Sequence, residues 1–147
     1  MTNLARQIIE SGFQLPTRHS LELALPHLLR DLGSPDTTVR ADALTIFSYW
    51  IDNDRFLEKE WVSLLDKSLN RMRYKLGYSG DDSVFVRSYA ALLLLELFHH
   101  NLEKPFFGSP RLELVYNIVT EVFLGEQDYR AVVQGIGWAY ATPHMGT

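Results

Sequence analysis

The sequence contains no cysteine, which excludes disulfide bonds, thiolate catalysis and cysteine-ligated metal sites. This fits a reducing compartment, and we expect a cytoplasmic protein. A basic excess is also lacking, because 18 acidic residues face 14 basic ones and the net charge is −4. Proteins that grip nucleic acid usually carry a basic excess, so we do not expect a nucleic-acid partner.

Long apolar segments are missing as well. The N-terminal residues lack the apolar stretch of a signal peptide. The longest apolar run, residues 90–95, is far shorter than the roughly 20 residues that a membrane-spanning helix needs. We therefore expect no membrane association. With 46% apolar and 22% charged residues, the 147 residues have the composition of one globular domain.

The apolar residues of the sequence are spaced mainly as on the face of a helix. One stripe recurs at the three- and four-residue intervals of a helix face, at Leu57, Trp61, Leu64, Leu65, Leu69, Met72 and Leu76. Capping residues beside prolines, at Ser34-Pro35 and Ser109-Pro110, mark helix starts. No stretch shows the alternation typical of a strand. We predict an all-α protein of about seven helices, over residues 3–11, 20–31, 36–51, 56–76, 83–100, 110–124 and 127–141.

Three of these helices begin with a repeated pattern built around an arginine. Arg40, Arg87 and Arg130 are 47 and 43 residues apart, and apolar positions align 3, 7, 10 and 11 residues after each of them. Periods of about 40–47 residues with two helices per unit are typical of HEAT and armadillo solenoids. We predict a short right-handed α-α superhelix in a single domain, residues 1–147. A short N-terminal helix precedes three hairpins, about 20–51, 56–100 and 110–141.

The capping residue, Val-Arg and Ala at these helix starts resemble the second helix of a HEAT repeat. That resemblance implies that each arginine bonds across to an acidic residue of the neighbouring unit. Such a ladder would fix the spacing of stacked hairpins, none of which can bury its apolar face alone. The expected ladder consists of Arg40, Arg87 and Arg130 with Asp36, Asp82 and Asp128.

Two motifs carry a closer resemblance. Asp82-Ser83-Val84-Phe85 with Arg87, and Gly135-Ile-Gly137-Trp138-Ala139 after Asp128-Tyr-Arg130, resemble a bacterial family known only as domain of unknown function 2785. Where that family has a first histidine, this sequence has Tyr140, and it retains the second as His144. Family members usually continue for further helices, so we expect a shortened member or a truncated sequence. The resemblance implies the helical fold and no particular activity.

The C-terminal motif also contains the strongest cluster of polar residues. Two glycines inside a predicted helix cost about 1 kcal/mol each relative to alanine, so a helix or a ligand should pack closely there. The ligand-binding candidates are Arg87, Asp128, Arg130, Trp138, Tyr140 and His144. In this interpretation Trp138 or Tyr140 stacks a ligand, and Asp128 or His144 acts as any general acid or base. The structural alternative assigns the charged residues to the ladder and Trp138 to the core.

The remaining polar residues have simpler explanations. His99 and His100 are adjacent and so point to different faces of a helix end, where histidine suits the helix dipole. A small basic surface on the long helix is interpreted as a solvated face, and comprises Lys67, Arg71, Arg73 and Lys75. The sequence has no phosphate loop, nucleophile elbow or His-Glu zinc motif. We expect no metal site and no cofactor.

Two functions remain open from the sequence. We favour a non-enzymatic protein-interaction module, because stacked hairpins present an extended surface to another protein or a peptide. A homodimer through the C-terminal end is a further form of this partnership. The alternative is a small-ligand binder or enzyme with a polar pocket around Arg87, Asp128, Arg130 and Trp138.

Overall fold

The computed structural model describes residues 4–14 and 17–127, with the side chains of residues 18 and 19 excepted. These residues form six helices: α1 (Leu4–Glu10), α2 (Arg18–Leu32), α3 (Thr37–Asp52), α4 (Glu58–Met72), α5 (Ser83–Glu103) and α6 (Ser109–Gly125). The count is one fewer than the seven predicted, and the predicted helix over 127–141 lies almost entirely outside the described residues. Within the described ranges there is no strand, as expected from the sequence.

Side-chain caps explain where α2 and α3 begin. Asp36 caps α3, since its carboxylate accepts hydrogen bonds from the backbone N–H groups of Thr38 and Val39 at 2.9 and 3.3 Å. α2 begins two residues earlier than predicted, because Thr17 accepts a hydrogen bond from the backbone N–H of Ser20 at 3.0 Å. Local capping chemistry therefore sets these boundaries.

α4 ends at Met72, four residues earlier than the apolar stripe predicted. The chain then turns through Lys75 and Gly77, whose φ angles are +50° and +95°. Positive φ is incompatible with a continued right-handed helix. The backbone carbonyls of Tyr74 and Lys75 accept hydrogen bonds from Arg87, and the Lys75 carbonyl also accepts one from the backbone N–H of Tyr78 within the turn. A long-range contact has overridden the local helical pattern here.

α5 lies at the centre of the described fold and packs against α2, α3 and α4. Its buried residues face several directions, among them Leu93, Leu94 and Leu97. A helix that is apolar nearly all round is expected to be enclosed by its neighbours. α1 packs on α3, and α6 packs on α4. Among the residues that the structure describes, no helix has both the length and the apolar character required to cross a bilayer.

Candidate functional site

Arg87, near the start of α5, is completely buried and held from several directions. Its Nε and Nη2 donate to the two carboxylate oxygens of Glu126 at 2.9 and 3.0 Å, and its Nη1 donates to the Ser83 hydroxyl at 2.7 Å. The other acceptors are backbone carbonyls of the α4–α5 loop, at Tyr74, Lys75 and Tyr78. All three guanidinium nitrogens are therefore engaged within the protein, which leaves Arg87 no exposed surface for a ligand.

The carboxylate on Arg87 differs from the predicted one. The expected ladder named Asp36, Asp82 and Asp128 as the acidic partners, whereas the carboxylate bound to Arg87 is that of Glu126, with 2% of its side chain exposed. Glu126 follows α6 and begins the third copy of the sequence pattern built around an arginine, two positions before Asp128. Arg87 therefore binds an acidic residue 39 positions further along the chain that the expected ladder did not include.

Arg40 occupies the corresponding position of α3 and is also buried, with 2% exposure. Asp36, which the expected ladder included, does not bind this guanidinium, because the carboxylate of Asp36 caps α3. Arg40 instead donates to the backbone carbonyls of Ser34 and Pro35 at 2.8 and 2.9 Å. Its guanidinium carbon lies 4.0 Å from the centre of the Phe85 ring, in the first turn of α5. Arg40 thus has an aromatic ring against its guanidinium, whereas Arg87 has the carboxylate of Glu126 as a hydrogen-bond acceptor.

The pocket predicted at the C-terminal motif involves six residues, of which only Arg87 is described. Asp128, Arg130, Trp138, Tyr140 and His144 lie outside the described residues, and so does the third rung of the ladder. For Arg87 the sequence left a structural and a ligand-binding role open. Its burial and its saturated donors favour the structural role.

A separate polar cleft lies where the turn between α2 and α3 meets the end of α4 and the start of α5. Its volume is about 750 Å³, within the range of small-molecule sites. Its polar lining consists of Arg30, Asp31, Ser34, Asn70, Arg71 and Tyr74. Gly33 forms part of the lining, and a Cβ at that position would stand 2.6 Å from a methyl group of Val86. This close approach of the turn to α5 shapes the cleft.

Two arginines that have no carboxylate partner among the described residues line this cleft. Arg71 is half-buried, and its Nη2 donates to the backbone carbonyl of Leu29 at 2.6 Å. Its Nε is buried and has no hydrogen-bond partner in the described part of the chain. Burial lowers the pKa of Arg71, which Tyr74 partly opposes. Arg30 is exposed, and its Nη2 contacts Nδ1 of His27 at 2.9 Å. The prediction that Arg71 belongs to a solvated face missed its place in the cleft.

Asp31 is the one carboxylate among the described residues that line the cleft. Burial raises its pKa above the ordinary value, while the charges of Arg30 and His27 act in the opposite direction. No side-chain hydrogen bond stabilises its ionised form within the described ranges. The polar lining therefore combines two cationic groups with one anionic group whose charged form is disfavoured by burial.

The two adjacent histidines near the end of α5 do face different ways. His99 is exposed, whereas His100 is 8% exposed and stacks on Trp61 with ring centres 3.9 Å apart. His100 Nε2 also lies 3.7 Å from a carboxylate oxygen of Asp54. Among the side chains that the structure describes, no three from histidine, aspartate or glutamate come together in a group that could hold a metal ion.

α6 carries an exposed apolar stripe beside its buried face. Val115, Ile118 and Val122 are buried against the rest of the protein. The neighbouring face consists of residues spaced by four, three and four positions, and we call it the α6 stripe: Leu112, Tyr116, Val119 and Phe123. Leu112, Tyr116 and Phe123 are 51%, 71% and 39% exposed, and Val119 is half-buried. This spacing is that of a helix seam that packs on a second helix.

A comparison with known families identifies the group to which the chain belongs. The family described as "Protein of unknown function (DUF2785)" matches residues 72–147, just over half of the chain, and the chain is a member of it. The matched region begins at the last residue of α4 and includes α5, α6, Arg87 and Glu126. No curated protein and no solved structure matches the chain.

Proposed function

We propose that this member of a family of unknown function is a non-enzymatic protein-interaction module, and that the α6 stripe binds a second copy of the same chain. The observation that carries the proposal is the exposure of three large apolar side chains in one helical seam. Contiguous apolar surface of this kind usually marks a contact site. The stripe contains no charged residue, so pairing it with a like surface buries no unpaired charge.

The order of residues along the stripe fits a partner related by a two-fold axis. In an antiparallel pair of α6 helices, an axis between residues 117 and 118 places Leu112 opposite the partner's Phe123. The same axis places Tyr116 opposite the partner's Val119. Each aromatic side chain thus meets an aliphatic one, which gives the self-complementarity that a two-fold interface requires.

The fold around the stripe is proposed to be a short HEAT-type superhelix within a single domain. The forward contacts of Arg40 on Phe85 and of Arg87 on Glu126 support this proposal, since each buried arginine reaches the start of the next repeat. Such modules usually act through their surfaces. The engagement of Arg87 within the core is a further reason to favour an interaction role over the pocket that the sequence left open around that residue.

Sedimentation velocity of the full chain, from a few micromolar to several hundred micromolar, tests the proposal. The stripe is one helix wide, so its interface is smaller than the roughly 800 Å² per partner of a standard complex, and we expect a dissociation constant on the order of micromolar. Tyr116→Glu should give a monomer at all concentrations, because the pair would bury two carboxylates.

Leu124→Glu is the matched control, because Leu124 is 73% exposed and lies outside the stripe, about 100° around the helix from Phe123. It should dimerise like the wild type. Circular dichroism melting of both variants establishes that they are folded. A wild-type chain that stays monomeric at several hundred micromolar, or a Leu124→Glu variant that dissociates as Tyr116→Glu does, contradicts the proposal.

A further inference from the structure

We propose that the cleft between the α2–α3 turn, α4 and α5 binds a small molecule through an oxyanion, with Arg71 and Arg30 as its cationic contacts. None of the residues that line this cleft belongs to the α6 stripe, and the proposal does not depend on dimerisation. It rests on three observations: the unpaired arginines, the neutral donors beside them, and the shape of the cleft.

The two arginines of the cleft differ from four other described arginines, which have an acidic partner. Arg6, Arg73, Arg87 and Arg111 each form an ion pair with an aspartate or glutamate in the described part of the chain. Arg71, Arg30 and the buried Arg40 form none there, although the chain as a whole is acidic. Arg40 is enclosed by the carbonyls of Ser34 and Pro35 and by the Phe85 ring, whereas Arg71 and Arg30 line an open cleft. A half-buried guanidinium without a counter-charge is costly, and an anion from solution would offset that cost.

The donors available to such an anion can be counted from the hydrogen bonds. A guanidinium has five N–H groups. Arg71 gives one of them to Leu29, and its Nη1 has no protein partner in the described ranges. Arg30 is engaged through one nitrogen with His27. Guanidinium groups bind carboxylate and phosphate oxygens through paired N–H donors, which gives these contacts both strength and directionality.

Neutral groups complete the polar lining. The Asn70 side chain is exposed, and Tyr74 is 48% exposed. Their amide and hydroxyl groups supply further donors beside Arg71. Pro26, Pro35 and Val86 line the same cleft with apolar surface. A cavity of about 750 Å³ accommodates a small organic anion better than a macromolecular chain.

Replacing Asp31 should change anion binding in the opposite direction to replacing Arg71. Asp31 is the one anionic side chain in the described lining, so it repels the proposed ligand. Asp31→Asn should tighten anion binding several-fold, whereas Arg71→Gln should weaken it about tenfold by removing charge-assisted hydrogen bonds. A role of these residues in the fold alone does not predict changes of opposite direction.

The experiment is a titration of the full ¹⁵N-labelled chain with inorganic phosphate and, separately, with succinate at constant ionic strength. The arginine Nε–H signals are followed by NMR. We expect a saturable shift of the Arg71 signal with at least one probe. Saturation by phosphate alone assigns a phosphorylated ligand, and saturation by succinate alone assigns a carboxylate ligand. Saturation by both assigns the shared oxyanion chemistry.

Arg73→Gln is the matched control, because Arg73 follows the same helix but pairs with Glu121 at 2.6 Å and does not line the cleft. It should bind like the wild type. Arg30→Gln changes an exposed side chain and should weaken binding without loss of fold, which keeps the test decisive if Arg71→Gln unfolds. The proposal is overturned if neither probe saturates, if Arg73→Gln binds as weakly as Arg30→Gln, or if Asp31→Asn does not tighten binding.

Discussion

Arg87 and Glu126 form a two-pronged ion pair between the start of α5 and the end of α6, with N–O distances of 2.9 and 3.0 Å. The two side chains are 0% and 2% exposed, although 39 residues separate them in the chain. The same guanidinium binds three carbonyls of the α4–α5 loop. Arg87 therefore connects the end of α4, the start of α5 and the end of α6.

Replacing Arg87 with alanine should lower the free energy of unfolding by about 2–4 kcal/mol, because it leaves a buried carboxylate and several carbonyls without donors. Urea or thermal unfolding measures this change. Arg73→Ala is the control, since its ion pair with Glu121 links nearby segments but is about half exposed. That variant should lose no more than about 1 kcal/mol. Equal losses in the two variants would show that burial of the pair contributes nothing.

Asp31→Asn should raise the melting temperature at pH 7. Burial raises the pKa of Asp31 in the folded state above its ordinary value of 3.8. Folding therefore favours the protonated form, and the stability gained at low pH is lost as the pH rises through the folded pKa. The variant avoids that loss. Its advantage should disappear below about pH 3, where Asp31 is protonated in both states. An advantage that persists unchanged at low pH would mean that charge is not its cause.

Gly33→Ala should destabilise the protein by about 1–3 kcal/mol, as overpacking of a close contact does. The new Cβ would stand 2.6 Å from the Val86 methyl group and 3.1 Å from the Val86 Cα, so α5 backbone must move as well. The φ angle of Gly33 is −102°, which alanine adopts without strain.

Gly108→Ala provides the comparison for that variant. The nearest atom to its new Cβ is 3.9 Å away, so only the weaker helix cap of alanine should reduce stability, by less than about 1 kcal/mol. Chemical denaturation of both variants separates the two effects. A Gly33→Ala variant as stable as Gly108→Ala would mean that the turn can withdraw from α5 without cost.

The sequence predicted the helical class and most helix starts, because caps and apolar periodicity are local signals. It also singled out Arg40 and Arg87 as equivalent positions of a repeat, and both are buried at helix starts. Their partners were predicted incorrectly. Asp36 and Asp82 were the nearest acidic residues in the pattern, but the carboxylate of Asp36 accepts the free N–H groups at the start of its own helix. Glu126 reaches Arg87 only through the length and packing of α6.

The candidate sites were less accessible to sequence reasoning. Arg71 belongs by spacing to the outer face of α4, and nothing local indicates that the turn at Gly33 packs beside it. The α6 stripe has a helical spacing that is visible in the sequence, but the spacing does not distinguish a buried face from an exposed one. The C-terminal cluster from Asp128 to His144 stays a prediction, because it lies outside the described residues.

Local chemistry thus determined which segments are helical and where capping side chains begin them. The sequence pattern also identified Arg87 as one of the arginines that recur at helix starts. The tertiary structure alone decided the early end of α4, the Glu126 partner, the unpaired arginines of the cleft and the exposure of the α6 stripe. The physical reason is the range of the interactions. Caps and periodicity act over a few residues, whereas a guanidinium takes the acceptors that packing brings to it, from any distance along the chain.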